Sequence, residues 1–442
     1  MSSPRRLALA AILLLAACGD LPMEPRPDTP RAPDPTAATP AFTIVVPDPG
    51  CDDGVLPSGA LSRICFPPVW NGDLVLWAHG YVAPDEPLEL PDDEVEGQPV
   101  EDIVLAFGYA YATTSYRRNG LVAADAVEDL EQLLAAAQVE ALSNGASIRY
   151  SYLVGASEGG LATALALEKS GTPFSGGIVA CAPAGSFRGQ VNYFGDTRVV
   201  FDALFPGVIP GSAINIPAGV IANWETVYQP AVAAALIANP SRTAQLIKVA
   251  GIAVDPANPA ASAVPSILSS LWYNINATND AIAVLGGNPY DNRFRWYSGS
   301  SNDFLLNLRV ARFAASSAAL SAMGAYEATG RLRRPTQLTH TKYDPVIPFW
   351  QAQLYQVEAL FRSGFQLIAL HSDNYGHCAF DVDEVLTSFA VLVLRVSAQD
   401  LFVSASVFPN ADSRRSFLEQ AREQGARPVI VERIHTMEAT QR

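Results

Sequence analysis

Tyr150-Ser151-Tyr152-Leu153-Val154-Gly155-Ala156-Ser157-Glu158-Gly159-Gly160-Leu161-Ala162-Thr163-Ala164 is the stretch on which the fold turns. Its first five residues are β-prone and those from Gly160 to Glu168 are helix-prone, so Ser157 falls at a strand-to-helix turn. Such a turn strains the backbone of the serine and crowds the positions two before and two after it. Both of those are glycine here, and Ala156 is small as well. Gly-x-Ser-x-Gly alone would arise by chance roughly 0.15 times in a chain of this length and composition. The strand before it and the helix after it are what single out Ser157 as an exposed nucleophile.

Outward from this turn, strand and helix signals alternate from about Phe42 to Ala184. Leu74–Ala78, Gly108–Thr114 and Gly177–Ala182 read as strands. Val127, Leu130, Leu133 and Leu134 give a helical period from about Ala123 to Ser143. This alternation predicts a parallel sheet with helices on its faces. It stops from about Phe187 to Arg334, where Ala, Pro, Asn and aromatic residues dominate and helical stretches such as Ala231–Ile237 and Phe304–Ala328 are expected. It resumes with a strand over Thr336–His340, a helix around Phe349–Arg362, a strand over Phe365–Leu370 and a helix over Val382–Val396. The block between reads as an insertion that splits one sheet, and no internal repeat is found.

The chain opens with Arg5-Arg6, an apolar run from Leu7 to Ala17, and Cys18. That pattern reads as a signal peptide over residues 1–17, too short for a mature membrane span. Leu15-Ala16-Ala17-Cys18 resembles a bacterial lipobox, in which Cys18 would be lipidated and residues 18–45, rich in Pro, Asp, Thr and Ala, would form a tether. The expected location is the cell envelope, lipid-anchored to a bacterial membrane, with a soluble secreted protein as the alternative. The α/β core is expected over 46–186 and 335–400, the inserted block over 187–334, and a C-terminal extension over 401–442. The formal net charge is −15, and Arg331-Leu332-Arg333-Arg334 is the largest basic cluster, which argues against a nucleic-acid partner. Four cysteines remain besides Cys18, an even number suited to an oxidising compartment. Cys51 and Cys65 would close a short loop worth about 3 kcal/mol. Elimination would then pair Cys181 with Cys378, although the sequence alone fixes neither pairing.

A serine hydroxyl needs a base to take its proton and a third group to hold that base. The chain has five histidines. His377, in Tyr375-Gly376-His377-Cys378 after the last core strand, is the expected base, with His371 the main rival. His79 precedes Gly80 at a strand end, His340 lies within a strand and His435 in the tail. Asp344, in Thr341-Lys342-Tyr343-Asp344-Pro345, is the expected acid; the alternative is an Asp-Pro turn in which the side chain caps the backbone. The N–H of Glu158 at the helix start and that of Tyr81 after His79-Gly80 are the expected oxyanion donors. The side chain of Glu158 reads as a helix-start carboxylate rather than a catalytic acid.

These residues resemble the α/β-hydrolase superfamily: the order Ser157, Asp344, His377, the turn at the nucleophile, the His79-Gly80 turn and the insertion before the acid strand all fit. The resemblance covers roughly Phe66–Ala184 and Thr336–Val396. It implies a mostly parallel eight-stranded sheet with helices on both faces and a mainly helical cap over the site. Tannase and feruloyl-esterase-like enzymes bridge a cysteine just before the serine to one just after the histidine; Cys378 follows His377, but Ala156 precedes Ser157. The chain departs from that subfamily, and a Cys181–Cys378 bridge could anchor the histidine loop in an analogous way. Aromatic residues of the insertion, among them Tyr193, Phe194, Trp224, Trp272, Tyr273 and Tyr290, offer area for an apolar pocket, while most would form the insertion's own core. The expected activity is hydrolysis of small-molecule or lipid-like carboxylic esters, with no cofactor or metal and no membrane contact beyond the anchor. A peptidase or amidase on the same residues is the alternative, and a non-catalytic surface-binding lipoprotein a more distant one.

Overall fold

The computed structural model describes residues 44–47 and 49–397. The expected signal peptide, Cys18, all but the end of the tether, and the extension over 401–442 with His435 lie outside them. Among the described residues, a short strand at Ile44–Val45 pairs antiparallel with Val69–Trp70.

Eight strands make the central sheet: β1 (Gly50–Val55), β2 (Leu61–Phe66), β3 (Leu74–Ala78), β4 (Ala110–Thr114), β5 (Ser151–Ala156), β6 (Gly176–Ala180), β7 (Thr336–Tyr343) and β8 (Leu367–Tyr375). Their order across the sheet is β1-β2-β4-β3-β5-β6-β7-β8. β2 runs antiparallel to both its neighbours, and every other pairing is parallel. This is the mostly parallel eight-stranded sheet expected from the sequence. β1 and β2 form a hairpin stapled by the Cys51–Cys65 disulfide.

Side chains alternate along each strand and so feed two helix layers. Leu74 and Leu76 of β3 and Leu153 of β5 join one buried cluster with α2 (Ala123–Ser143) and α3 (Glu158–Glu168). Val75 and Tyr152 face the opposite way, toward α1 (Val100–Ala106) and α12 (Val382–Val396), with Leu392 and Val393. At roughly 25 cal/mol per Å2 of buried apolar surface, these clusters are the main source of stability. Between β6 and β7 come α4 (Phe187–Leu204), α5 (Ala218–Ala222), α6 (Gln229–Ala238), α7 (Pro240–Ala250), α8 (Pro259–Val284), α9 (Asp303–Arg309) and α10 (Ser317–Ala322). They hold a separate core that includes Phe201, Trp224, Leu246, Leu271 and Tyr290. α11 (Trp350–Ser363) lies between β7 and β8. No helix among the described residues is long and apolar enough to cross a membrane.

Two elements differ from expectation. Phe304–Ala328 is not one helix: it breaks after α9, and Asn292 draws this segment out of helical geometry by bonding the backbone of Ala311 and Phe313. The last strand starts at Leu367 and runs to Tyr375, so His371 lies inside it rather than at its end. The polar Ser372-Asp373-Asn374 run hides this continuation from a hydrophobic-pattern reading.

Candidate active site

Ser157 is the first residue past β5 and has φ 55° and ψ −118°, the strained turn expected between strand and helix. Its N–H donates to Ala180 O at 2.9 Å. A Cβ on Gly155 would run into the Gly159 carbonyl and Thr163, and one on Gly159 into the carbonyls of Ala78 and His79. Both glycines are therefore demanded by the packing of α3 against β3 and β5.

Asp344 follows β7 and His377 follows β8, so both sit with Ser157 at the carboxyl edge of the sheet, where ligands meet open α/β sheets. His377 Nδ1 lies 2.7 Å from Asp344 Oδ2, and His377 Nε2 lies 2.9 Å from Ser157 Oγ. An ionised carboxylate only accepts, so Nδ1 carries the proton and Nε2 is left to accept from the serine hydroxyl. Asp344 is fully buried, and its Oδ1 accepts from the N–H groups of Val346 and Ile347 at 2.8 and 2.9 Å. One carboxylate oxygen thus faces the imidazole while the other caps the backbone of the turn that follows Asp344.

The loop carrying Asp344 is clamped by residues that sequence reasoning did not single out for this task. Gln190 Nε2 and Tyr193 Oη of α4 each donate to it at 2.7 Å, onto Val346 O and Pro345 O. His340 Nε2 lies 2.9 Å from Ile347 O. The two contacts from α4 span some 150 positions and leave no local sequence signal. The His377 loop is tied by Thr341 Oγ1, which donates to Gly376 O at 2.7 Å, and by the Cys181–Cys378 disulfide, which fixes it to the end of β6.

The other histidines go elsewhere. His79 stacks on Tyr116 with centroids 4.1 Å apart, and burial pushes its pKa down. Burial likewise lowers that of His340. His371 packs edge-on against Phe349; burial, helped by His340 and Lys342, pushes it down to about 4.

The backbone after His79 lies against the serine: a Cβ on Gly80 would sit 3.4 Å from Ser157 Cβ, which places Tyr81 beside Ser157. Glu158 occupies the first position of α3, where its N–H has no intrahelical partner. Its carboxylate does not serve its own helix. Oε1 accepts from the N–H groups of Val122 and Ala123 at 2.8 and 3.1 Å, the start of α2, and Oε2 is buried without a partner. Burial pushes this carboxyl up to about 7 against the pull of those two N–H groups, with Asp280 adding to the rise. Asp280 of α8 binds the same turn, with its Oδ2 accepting from Leu121 N–H at 2.6 Å. Gly120, at φ 81°, has no room for a side chain because the Asp280 carboxylate lies against it.

Ser157 borders two cavities. The smaller, about 100 Å3, lies under α4 and α8 and touches Tyr81, Ser157, Glu158, Leu161, Phe194 and Ala277. The larger, about 490 Å3, runs from Gly80, Ser157 and His377 down between the sheet and helices α1 and α12, past Ile103, Ile178 and Val385. Protein interiors leave few voids larger than a water. An open groove of about 690 Å3, bordered by Trp224, Glu225, Gln229, Trp272 and Tyr273, leads to His377 from outside. Of the inserted aromatic residues, Phe194, Tyr273 and Tyr290 line the smaller cavity, whereas Phe294 is 93% exposed.

No family model matches the sequence, and no curated protein matches it. Among solved structures, the chain is similar to feruloyl esterase B from Aspergillus oryzae at 12% identity and a TM-score of 0.48, covering 77% of this chain and 78% of that one. It is similar to the rice cell wall degrading esterase LipA from Xanthomonas oryzae at 12% identity and a TM-score of 0.38, covering 78% and 88%. A third similarity is to Pyrococcus horikoshii acylaminoacyl peptidase, at 11% identity and a TM-score of 0.36, covering 75% of this chain and 37% of that one. The chain thus spans well under half the length of that peptidase.

Proposed function

We propose that this chain is a serine hydrolase of carboxylic esters, with Ser157 as nucleophile, His377 as base and Asp344 as the group that orients and charge-compensates the imidazole. The observation that carries this reading is the pair of contacts from His377, 2.9 Å to Ser157 Oγ and 2.7 Å to Asp344 Oδ2. As Oγ attacks the ester carbonyl, its proton passes to His377 Nε2, and the N–H groups of Glu158 and Tyr81 receive the oxyanion. The imidazolium then protonates the departing alkoxide, and water reverses these steps to free the acid. The mostly apolar cavities beside the serine support an ester with apolar substituents.

A fluorophosphonate probe should label Ser157, and Ser157→Ala should abolish labelling and lower turnover by several orders of magnitude while keeping the thermal transition. Hydrolysis of nitrophenyl esters should exceed that of amino-acyl anilides. Unchanged ester turnover in Ser157→Ala would end the assignment. The proposal extends to export and a lipid anchor at Cys18, supported by Arg5-Arg6 and the apolar run before it. Cys18→Ala should move the protein from the membrane fraction to the soluble one.

A further inference from the structure

The two cavities meet the serine from different sides, and only the larger one touches His377. That difference carries chemical information. The oxygen that leaves must receive its proton from His377 Nε2, so the alcohol portion of the ester has to lie on the His377 side of the tetrahedral carbon. The acyl portion stays bonded to Ser157 Oγ and is free to occupy the smaller cavity, which touches Ser157 but not His377. The groove also reaches His377 but is open to solvent, which suits it as the way in.

Resting on the ester-hydrolase reading above, we propose that the larger cavity between the sheet and helices α1 and α12 seats the alcohol and the smaller cavity under α4 and α8 seats the acyl group, so that the preferred substrates are short-chain esters of long or bulky apolar alcohols. In the reaction, the bond from Ser157 Oγ to the acyl carbon forms as the bond from that carbon to the alkyl oxygen breaks. The serine's proton travels through Nε2 to the alkoxide, which is released as the free alcohol. Water then adds to the acyl carbon, its proton returns through Nε2 to Oγ, and the short acid leaves through the groove. The larger cavity, at about 490 Å3, has roughly five times the room of the smaller, at about 100 Å3, so the longer chain belongs in the larger one.

Two isomers of one composition test this directly: dodecyl acetate, with the long chain in the alcohol, and methyl tridecanoate, with it in the acid. The intact protein should cleave dodecyl acetate with a kcat/KM at least about 10-fold higher. Ile103→Trp, which fills the larger cavity from α1, should lower the ratio of dodecyl acetate to methyl acetate turnover by about 10-fold or more. Ala277→Phe, which fills the smaller cavity from α8, should instead lower the ratio of methyl hexanoate to methyl acetate turnover. Fluorophosphonate labelling of Ser157 is read in each variant as proof of a folded site. Labelled protein that prefers methyl tridecanoate, shows no preference, or loses methyl tridecanoate turnover selectively in Ile103→Trp overturns the cavity assignment while the ester-hydrolase reading stands. Absence of labelling together with cleavage of neither isomer overturns both.

Discussion

Glu158→Gln isolates the cost of one buried charge. The carboxyl stands at about 7 in the folded chain against 4.5 for an ordinary glutamate, raised chiefly by burial. A folded-state value above the unfolded one means that the folded chain binds more protons between those two pH values. Stability therefore falls as pH rises through that window, and the penalty is complete above it. At 1.36 kcal/mol per unit, it reaches about 3 kcal/mol, of which roughly 2.5 kcal/mol develops between pH 5 and pH 8. Glutamine keeps an acceptor for Val122 and Ala123 N–H and puts its amide nitrogen where Oε2 has no partner, so the substitution exchanges one unpartnered atom for another. With an unfolding entropy of about 2.1 cal/mol/K per residue over roughly 350 residues, the variant should gain about 3 to 4 °C on the parent on going from pH 5 to pH 8. Paired thermal melts across that range measure it. A constant difference between the two proteins at every pH would refute the assignment of a buried, charge-penalised carboxyl to this position.

Asp344→Asn should lower kcat by about 10^3 to 10^4 through loss of the correct imidazole tautomer, with Tm nearly unchanged, as read by steady-state kinetics and calorimetry together. Gly159→Ala should destabilise by at least about 3 kcal/mol, because its methyl group would meet the carbonyls of Ala78 and His79; urea unfolding checks this, and a wild-type midpoint would contradict the close packing. Replacing Cys181 and Cys378 together should cost about 3 to 5 kcal/mol and also lower kcat, since the bridge holds the His377 loop. Replacing Cys51 and Cys65 should cost up to about 3 kcal/mol and leave kcat within about 2-fold, as that hairpin lies at the far edge of the sheet.

The parallel sheet and the turn at Ser157 were legible because their signals are local. β-prone residues, a small-residue turn and a helix-former run follow one another within twenty positions, and the period of α2 places that helix to the residue. Asp344 and His377 could be ranked because few histidines exist and chain order limits the choice. What was not legible depends on contacts distant in sequence. Glu158 reads as the first acid of its own helix, and only the fold shows that it caps α2. Gln190 and Tyr193 carry no mark that they hold the Asp344 loop. The larger cavity is invisible because Ile103, Ile178 and Val385 look like ordinary core residues, and the space they leave arises only when α1 and α12 are set on the sheet.

Asp280 belongs to the inserted helices, yet its carboxylate closes the turn at Gly120-Leu121 just before α2. Glu158, next to Ser157, binds the following two N–H groups of the same turn. A transplant that exchanged the inserted segment for that of another protein of this architecture would thus remove an acceptor from the sheet-bearing part of the molecule, leave Leu121 N–H unsatisfied and loosen the peptide that Glu158 grips. Chimeras intended to alter selectivity will need to bring a carboxylate to the position of Asp280, because the insertion is not a free-standing cassette.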